Sequence, residues 1–366
     1  MRPRALFGTV VVAGVGLIGG SIGLGTRQRF LADRVIGYDR DPGVLDAARG
    51  LGAIDEAQLA PGPWLRQADL VVLATPARTI VPLGRSLLPH LGERTIVTDV
   101  GSVKAPVVEG MRGARFVGGH PMAGSERGGV LNADAALLEN AVWVLTPEAG
   151  VTDPAAAAAV LAYVEALGAR PIQVEPEQHD RLVATVSHLP YLASVALTAL
   201  VDDGEERALK MLLAAGGFRD ITRVASGDPV MSRDMVAGNR VAVREALHAF
   251  RGQLERLEEL LDAPDDLLAA GEAAKRTRDG IPIVRRSLLP ARHEVVLAVP
   301  DRPGELARIT AALGDANVNV KDIEVLGIRE TGGALRMAFE TADDLVRGVA
   351  ALRDAGYEAR SRNGTH

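Results

Sequence analysis

The run Thr9-Val10-Val11-Val12-Ala13 passes directly into Gly14-Val15-Gly16-Leu17-Ile18-Gly19, and this junction restricts the fold more than any other stretch of the chain. A β-branched apolar run fits a strand buried on both faces of a parallel sheet. The G-x-G-x-x-G after it reads as strand, turn and helix. Its glycines serve in turn for the tight turn, for close approach of a pyrophosphate and for helix–sheet packing, with the helix N-terminus facing the anion. Val35-Ile36-Gly37-Tyr38-Asp39 reads as the second strand, and its Asp39 sits where such a fold keeps an acid for the ribose hydroxyls. A carboxylate there repels a 2′-phosphate, so NAD is the expected cofactor, with Arg40 leaving NADP open. Gly14, Gly16, Leu17, Ile18, Gly19, Asp39, Thr75, Pro76 and Ser102 make up the expected cofactor site.

The same N-terminal stretch, uncharged from Ala5 to Thr26, could pass for a signal peptide or a membrane span. Its seven glycines argue against that, because they would weaken a spanning helix. No other stretch reads as membrane-spanning, so a soluble, cytoplasmic protein is expected. With 41 Lys and Arg against 47 Asp and Glu, and only 3% aromatic residues, the chain offers neither a basic surface nor base-stacking platforms for nucleic acid. It has no cysteine, and its seven scattered histidines show no HxxxH or HExxH, so no protein metal site is expected.

Short apolar strands at Leu70–Ala74, Thr95–Val100, Phe116–Gly119 and Ala141–Leu145 alternate with helical segments such as Thr79–His90 and Pro154–Leu167. The pattern predicts an α/β, Rossmann-like doubly wound domain over 1–174. Strand signals then stop. From His179 to Leu261 the period is helical, with breaks expected near Pro190, Gly216-Gly217 and Gly227-Asp228-Pro229, which predicts an all-helical domain over 175–286. By analogy with the fold of small-substrate dehydrogenases, it would complete the substrate cleft and dimerise. On one regular helix, His179 and His188 would point in opposite directions. The charged segment Ala273–Arg286 reads as a linker. Beyond it, strand and helix signals in the order βαββαβ predict a ferredoxin-like domain over 291–366, with a hairpin at Gly332-Gly333.

The chemistry of a doubly wound enzyme lies at the carboxyl ends of its strands. Two of these ends are unusually polar: Asp99-Val100-Gly101-Ser102-Val103-Lys104 and Gly119-His120-Pro121-Met122-Ala123-Gly124-Ser125-Glu126. His120, expected on a loop just past its strand, is the natural base to take a hydroxyl proton as hydride leaves the same carbon. Ser102 would bind the substrate hydroxyl or orient His120. A loop histidine that only caps backbone is the competing reading. In the helical region, Ser187 and Tyr191 lie one turn apart beside His188. Arg219 and Arg223, a turn apart around Asp220, offer guanidiniums that could clamp a carboxylate, or simply be solvated or ion-paired.

In this order these motifs resemble the prephenate dehydrogenase family of tyrosine biosynthesis, with Ser187-His188-Leu189-Pro190 and Gly217-Phe218-Arg219-Asp220-Ile221-Thr222-Arg223 completing the match. The resemblance implies NAD-dependent oxidative decarboxylation of prephenate to 4-hydroxyphenylpyruvate. Hydride leaves the ring carbon bearing the hydroxyl, His120 accepts the proton, and loss of CO₂ aromatises the ring. It also implies that Ser102 and Ser125 line the pocket, that Arg223 holds a substrate carboxylate, and that Glu126 and Asp220 gate or organise the polar network. Tyr191 and Ser232 depart from the histidine and tryptophan that relatives often carry there. Both would lie near the substrate side chain, which leaves arogenate open as the alternative substrate.

The C-terminal unit resembles an ACT domain through Asp301-Arg302-Pro303-Gly304-Glu305-Leu306 and Asn317-Val318-Asn319-Val320-Lys321-Asp322-Ile323. The resemblance implies a homodimer through the helical domain, further ACT–ACT pairing, and tyrosine as effector near Asp301, Pro303, Gly304, Asn317 and Asp322. Two other readings compete with this one. A β-hydroxyacid dehydrogenase needs a catalytic lysine on a glycine-rich helix, and Lys210 lacks that setting. An inactive amino-acid sensor does not need His120, Ser102, Arg223 and Asp39 together.

Overall fold

The computed structural model describes residues 5–124, 128–202, 204–281, 293–300, 302–329 and 332–361. The chain divides into two compact units, Met1–Val284 and Arg285–His366.

The first unit is built on eight strands: β1 (Phe7–Ala13), β2 (Ala32–Tyr38), β3 (Glu56–Gln58), β4 (Leu70–Leu73), β5 (Ile96–Asp99), β6 (Phe116–Pro121), β7 (Val142–Thr146) and β8 (Arg170–Gln173). They lie in the order β3-β2-β1-β4-β5-β6-β7-β8, parallel throughout except where β6 meets β7. Five helices connect them: α1 (Leu17–Gln28), α2 (Pro42–Gly50), α3 (Ala77–Leu87), α4 (Ala105–Gly110) and α5 (Pro154–Ala166). Successive strand residues point to opposite faces. Val10, Val12 and Val72 therefore enter one core, with Ile22 and Val160, while Val11, Val71 and Leu73 enter the other, with Ile80 and Leu87. That is why these strands read as unbroken apolar runs. Helix starts are marked by Asp41 and Asp153, each accepting a hydrogen bond from an amide two residues on, with proline at the first helical position.

The sequence reading missed β3 and β8. The first has three residues and no apolar run, and the second is a largely exposed edge strand. It also placed His120 on a loop, whereas β6 continues through Pro121, held by β7 with His120 opposite Val144. Ladder pairing between β5 and β6 ends at Thr98–Val117. Beyond it the Asp99 carboxylate takes over, accepting from the Gly119 amide at 3.0 Å.

The helical part of this unit comprises α6 (Pro176–Val183), a π-helical turn (Ala184–His188), α7 (Leu189–Asp202), α8 (Arg207–Leu213), α9 (Gly216–Thr222), α10 (Pro229–Gly238), α11 (Arg240–Glu259) and α12 (Pro264–Asp279). The break expected near Pro190 is absent. The helix runs from Pro176 to Asp202, because the wide π turn ends just before the proline and absorbs its missing N–H. At 27 residues this helix is long and apolar enough to cross a membrane by length and composition alone, contrary to the sequence reading. It nonetheless buries His179, Asp180 and His188 against protein. Part of the expected linker is also helical. Ala273–Asp279 belongs to α12, and its charges form i,i+4 pairs, Lys275 with Asp279 and Glu272 with Arg276.

The second unit has the expected order: β9 (Glu294–Val299), α13 (Glu305–Asp315), β10 (Val320–Arg329), β11 (Gly332–Phe339), α14 (Ala342–Asp354) and β12 (Ala359–Ser361). Its antiparallel sheet runs β10-β11-β9-β12. Gly332 and Gly333 lie inside β11, opposite Arg329 and Ile328, rather than forming the turn. Val295, Leu297, Ile309, Leu313, Met337 and Leu352 form its core.

Candidate active site

The sheet reverses its winding between β1 and β4, and the carboxyl ends of these two strands hold the glycine turn. The Ala74 amide donates to the Ala13 carbonyl at 2.7 Å, and the Gly14 amide to the Tyr38 carbonyl at 2.8 Å. The three glycines meet three different constraints. Gly14 has φ +94°, and a Cβ there would stand 2.7 Å from the Ala74 oxygen. A Cβ on Gly19 would stand 2.0 Å from the Gly14 oxygen, so that position permits only glycine at this helix–strand distance. A Cβ on Gly16 would meet nothing within 4 Å. The space over Gly16 is open at the start of α1, whose first turn carries no acidic residue and no side-chain cap. Such a turn leaves amides to meet an anion. Asp39 closes the frame, one carboxylate oxygen accepting from the Val15 amide at 3.0 Å and the other from the Asp41 amide at 3.1 Å. At the end of β4 the Thr75 hydroxyl is buried without a partner.

Two strands away, the divergence of β5 and β6 is filled by polar side chains. Lys104 is fully buried, and its ammonium donates to the Asp99 carboxylate and, at 2.7 Å, to the Gly119 carbonyl. Burial lowers the basicity of this amine, while Asp99 acts in the opposite direction. The Gly101 amide also donates to Asp99, at 2.8 Å. This network holds the Ser102 loop and the His120 strand together.

His120 Nδ1 lies 2.9 Å from His179 Nε2, and His179 Nδ1 lies 2.8 Å from Asp180 Oδ1. Asp180 in turn accepts the Lys104 amide at 2.7 Å on Oδ1 and the Ala105 amide at 2.9 Å on Oδ2. Asn239, on the loop between α10 and α11, donates to the Asp180 carbonyl at 2.7 Å and lies 3.2 Å from His188 Nδ1. His120 is half-buried, whereas His179 and His188 are each 1% exposed. Burial, and then the positive or protonatable neighbours Lys104, His179 and His188, hold the His120 imidazole well below its ordinary pKa. Burial likewise lowers His188 to about 4. His120 is thus neutral at physiological pH, the state a general base needs. Among the described residues no group of three His, Cys, Asp or Glu side chains converges as a metal site would require.

Residues 22–173 match the family described as the nucleotide-binding domain of prephenate dehydrogenase, and residues 175–269 match its dimerization domain. The prephenate dehydrogenase of Bacillus subtilis (strain 168) is 34% identical over 349 residues, spanning 93% of this chain and 94% of that protein. The chain belongs to the prephenate dehydrogenase family. Among solved structures of this family, prephenate dehydrogenase from A. aeolicus in complex with hydroxyphenyl propionate and NAD+ superposes with a TM-score of 0.72 at 33% identity, over 77% of this chain and 100% of that one. Synechocystis arogenate dehydrogenase superposes with a TM-score of 0.67 at 34% identity, over 74% of this chain and 99% of that one. Residues 293–356 match the ACT domain.

The glycine turn, Asp39, Thr75 and Pro76 cluster at the ends of β1, β2 and β4, and Ser102 and His120 stand beyond β5 and on β6. Ser187 and Tyr191 are half-buried on the long helix on either side of buried His188. The π turn there advances less per residue than an α-helix, so His188 is not thrown to the side opposite His179. Both histidines lie close enough to His120 to act on its charge. Arg219, Asp220 and Arg223 are exposed on α9 and the turn after it, a segment anchored to α7 by the Ser194 hydroxyl donating to the Ile221 carbonyl at 2.7 Å. Ser125, Glu126 and Asp301 lie outside the described residues. In the second unit Pro303 and Gly304 are exposed, with Gly304 left-handed at φ +88°. Asn317 takes the left-handed conformation that ends α13, at φ +50°, and the Asp322 carboxylate accepts from Arg336 at 3.4 Å.

Sequence reasoning did not find His179, Asp180 or Asn239. The His–Asp doublet on a helix was the only available signal, and its partner lies 59 residues away.

Proposed function

We propose that this protein is a prephenate dehydrogenase that uses NAD to convert prephenate to 4-hydroxyphenylpyruvate and CO₂. The observation that carries the reading is a half-buried His120 held by a second imidazole, at the end of a strand three places from the one that leads into the open glycine turn. A nicotinamide cofactor held at this turn would supply the hydride acceptor. Gly14, Gly16, Leu17, Ile18 and Gly19 would offer backbone to its pyrophosphate, and Asp39, Thr75, Pro76 and Ser102 its remaining contacts. His120 takes the hydroxyl proton, and Ser102 orients that hydroxyl. Ser125, Glu126, Ser187, His188, Tyr191, Arg219 and Asp220 line the substrate site, with Arg223 pairing with a carboxylate. Orientation and proton acceptance are the protein's main contributions, since aromatisation of the ring drives the reaction.

Residues 1–174 form the cofactor domain in this reading, 175–286 the substrate and dimerisation domain, and 291–366 a regulatory domain that binds tyrosine near Asp301, Pro303, Gly304, Asn317 and Asp322. The active species is a cytoplasmic homodimer joined through the helices, with ACT–ACT pairing as a further contact. Arogenate is the competing substrate, left open because half-buried Tyr191 and buried Ser232 depart from the residues that the family resemblance implies near the substrate side chain. Initial rates of NAD reduction with prephenate and with arogenate, measured in parallel, decide between them. A dominant prephenate rate supports the reading. Arogenate preference transfers it to the sister reaction, and no turnover of either overturns it. Tyrosine added to the same assay must lower the rate if the ACT unit is regulatory.

A further inference from the structure

The three-residue chain behind His120 has a direction, and the direction has a chemical consequence. Asp180 accepts a backbone amide on each carboxylate oxygen, Lys104 on Oδ1 and Ala105 on Oδ2. Toward His179 Nδ1 it therefore acts as an acceptor as well, so that nitrogen carries the hydrogen. A neutral His179 then has a lone pair on Nε2, and the 2.9 Å contact with His120 must be a donation from His120 Nδ1. His120 is left with an unprotonated Nε2. An imidazole has one donor and one acceptor when neutral, so each link fixes the next.

We propose that His179 and Asp180 are positioning residues that fix His120 in the Nδ1–H tautomer, with Nε2 free to accept the substrate's hydroxyl proton. The inference rests on the dehydrogenase reading, and it assigns its residues to an element, α6, that the sequence did not connect with the chemistry. In the proton-transfer step the hydroxyl O–H bond breaks and an N–H bond forms at His120 Nε2. The resulting imidazolium keeps its Nδ1–H donated to His179, whose Nδ1–H remains donated to the Asp180 carboxylate. No proton needs to move along the chain. The arrangement follows the logic by which a buried carboxylate orients a catalytic histidine in other enzymes, here with a second imidazole inserted. Among the described residues, the groups besides His179 that face His120 are Lys104, from the loop after β5, with its partner Asp99 at the end of β5, and His188, from the π turn. Lys104, and an imidazolium at His179 or His188, would oppose the charge formed on His120. The Asp180 carboxylate is the negative group at the end of the chain.

The chain can be tested with and without turnover. Nitrogen-15 NMR of the histidine-labelled, full-length protein, with His120 assigned from its loss in His120→Asn, should show protonated Nδ1 and unprotonated Nε2. A wild-type His120 protonated on Nε2 would overturn the proposal. This result does not depend on which substrate is used, so it separates a failure of the chain from a failure of the dehydrogenase reading. Asp180→Asn can present an amide donor to His179 and reverse the chain. It should move His120 to the Nε2–H tautomer and lower kcat by roughly 10²- to 10⁴-fold with little change in KM or in NAD affinity. His179→Gln keeps an acceptor beside His120 Nδ1 and should retain most of kcat, whereas His179→Leu should lose it and change the pH profile of kcat. Equal activity of the Gln and Leu variants, both folded and both binding NAD, would reduce the pair to a structural role and refute the inference.

Discussion

The sheet region and the helical region of the first unit differ in how much of their apolar surface they bury. Val10, Val11, Val12, Leu70 and Leu73 are fully buried, with helices on both faces of the sheet. In the helical region the buried cluster among the described residues is small, Ala184, Ala242 and Val243 with Leu192, Val236 and Ala246 packed on it, while Leu200 is 68% exposed, Leu212 80% and Leu261 70%. The sheet region thus completes its structure within one chain, and the cofactor turn is already formed there. The helical region leaves many large apolar side chains exposed on the segment that matches a dimerization domain. Its arginines stand on that open part. The proposed site thus draws on a region that is closed within the chain and on one that leaves its apolar side chains exposed.

The largest expected effect tests the closed region. His120→Asn should lower kcat by on the order of 10³-fold with NAD affinity nearly unchanged. The acid limb of the wild-type profile should fall well below pH 6.5, because burial favours the neutral imidazole. Retained turnover would discard His120 as base. The same leucine deletion should then separate the two regions. Leu73→Ala, at a fully buried site, should cost about 2–5 kcal/mol in a denaturant titration. Leu212→Ala should cost under about 0.5 kcal/mol in the dissociated chain, and Leu212→Glu should shift sedimentation toward monomer. A large Leu212→Ala cost in the monomer would show that the helices bury that side chain themselves.

Arg223→Ala addresses the exposed region directly. It should raise KM by roughly 10- to 100-fold through loss of a charge-assisted pair, with kcat less affected, and an unchanged KM would reassign the carboxylate clamp. Asp39→Ala should narrow the preference for NAD over NADP by roughly tenfold, as expected when a ribose-binding carboxylate is lost. The last prediction concerns His188. Its pKa is lowered to about 4 in the folded protein, against an ordinary value of 6.5, so between these two pH values the unfolded chain binds a proton that the folded chain does not. Stability should fall as pH drops from about 6.5 to about 4. His188→Gln should flatten that slope, read from melting temperatures across the range.

Much of this protein was legible before any coordinates. The strand run into Gly14, the acid at the end of the second strand, the polar strand ends at Asp99 and His120, and the βαββαβ order are all local patterns. Each follows from a backbone requirement within a few residues. The ends of β6 and of the helix through Pro190 were misread for the opposite reason. His120 stays in a strand because β7 pairs with it, and the chain passes Pro190 as a helix because a π turn precedes it.

By itself the sequence determined the fold classes and the family and singled out His120 as the candidate base, because glycine geometry and apolar periodicity act at short range. Only the tertiary structure brought His179 and Asp180 behind His120. It also showed that Asp180 is spent on two amides, and that the helices leave their leucines uncovered. These depend on distances between segments far apart in the chain, which no local pattern encodes.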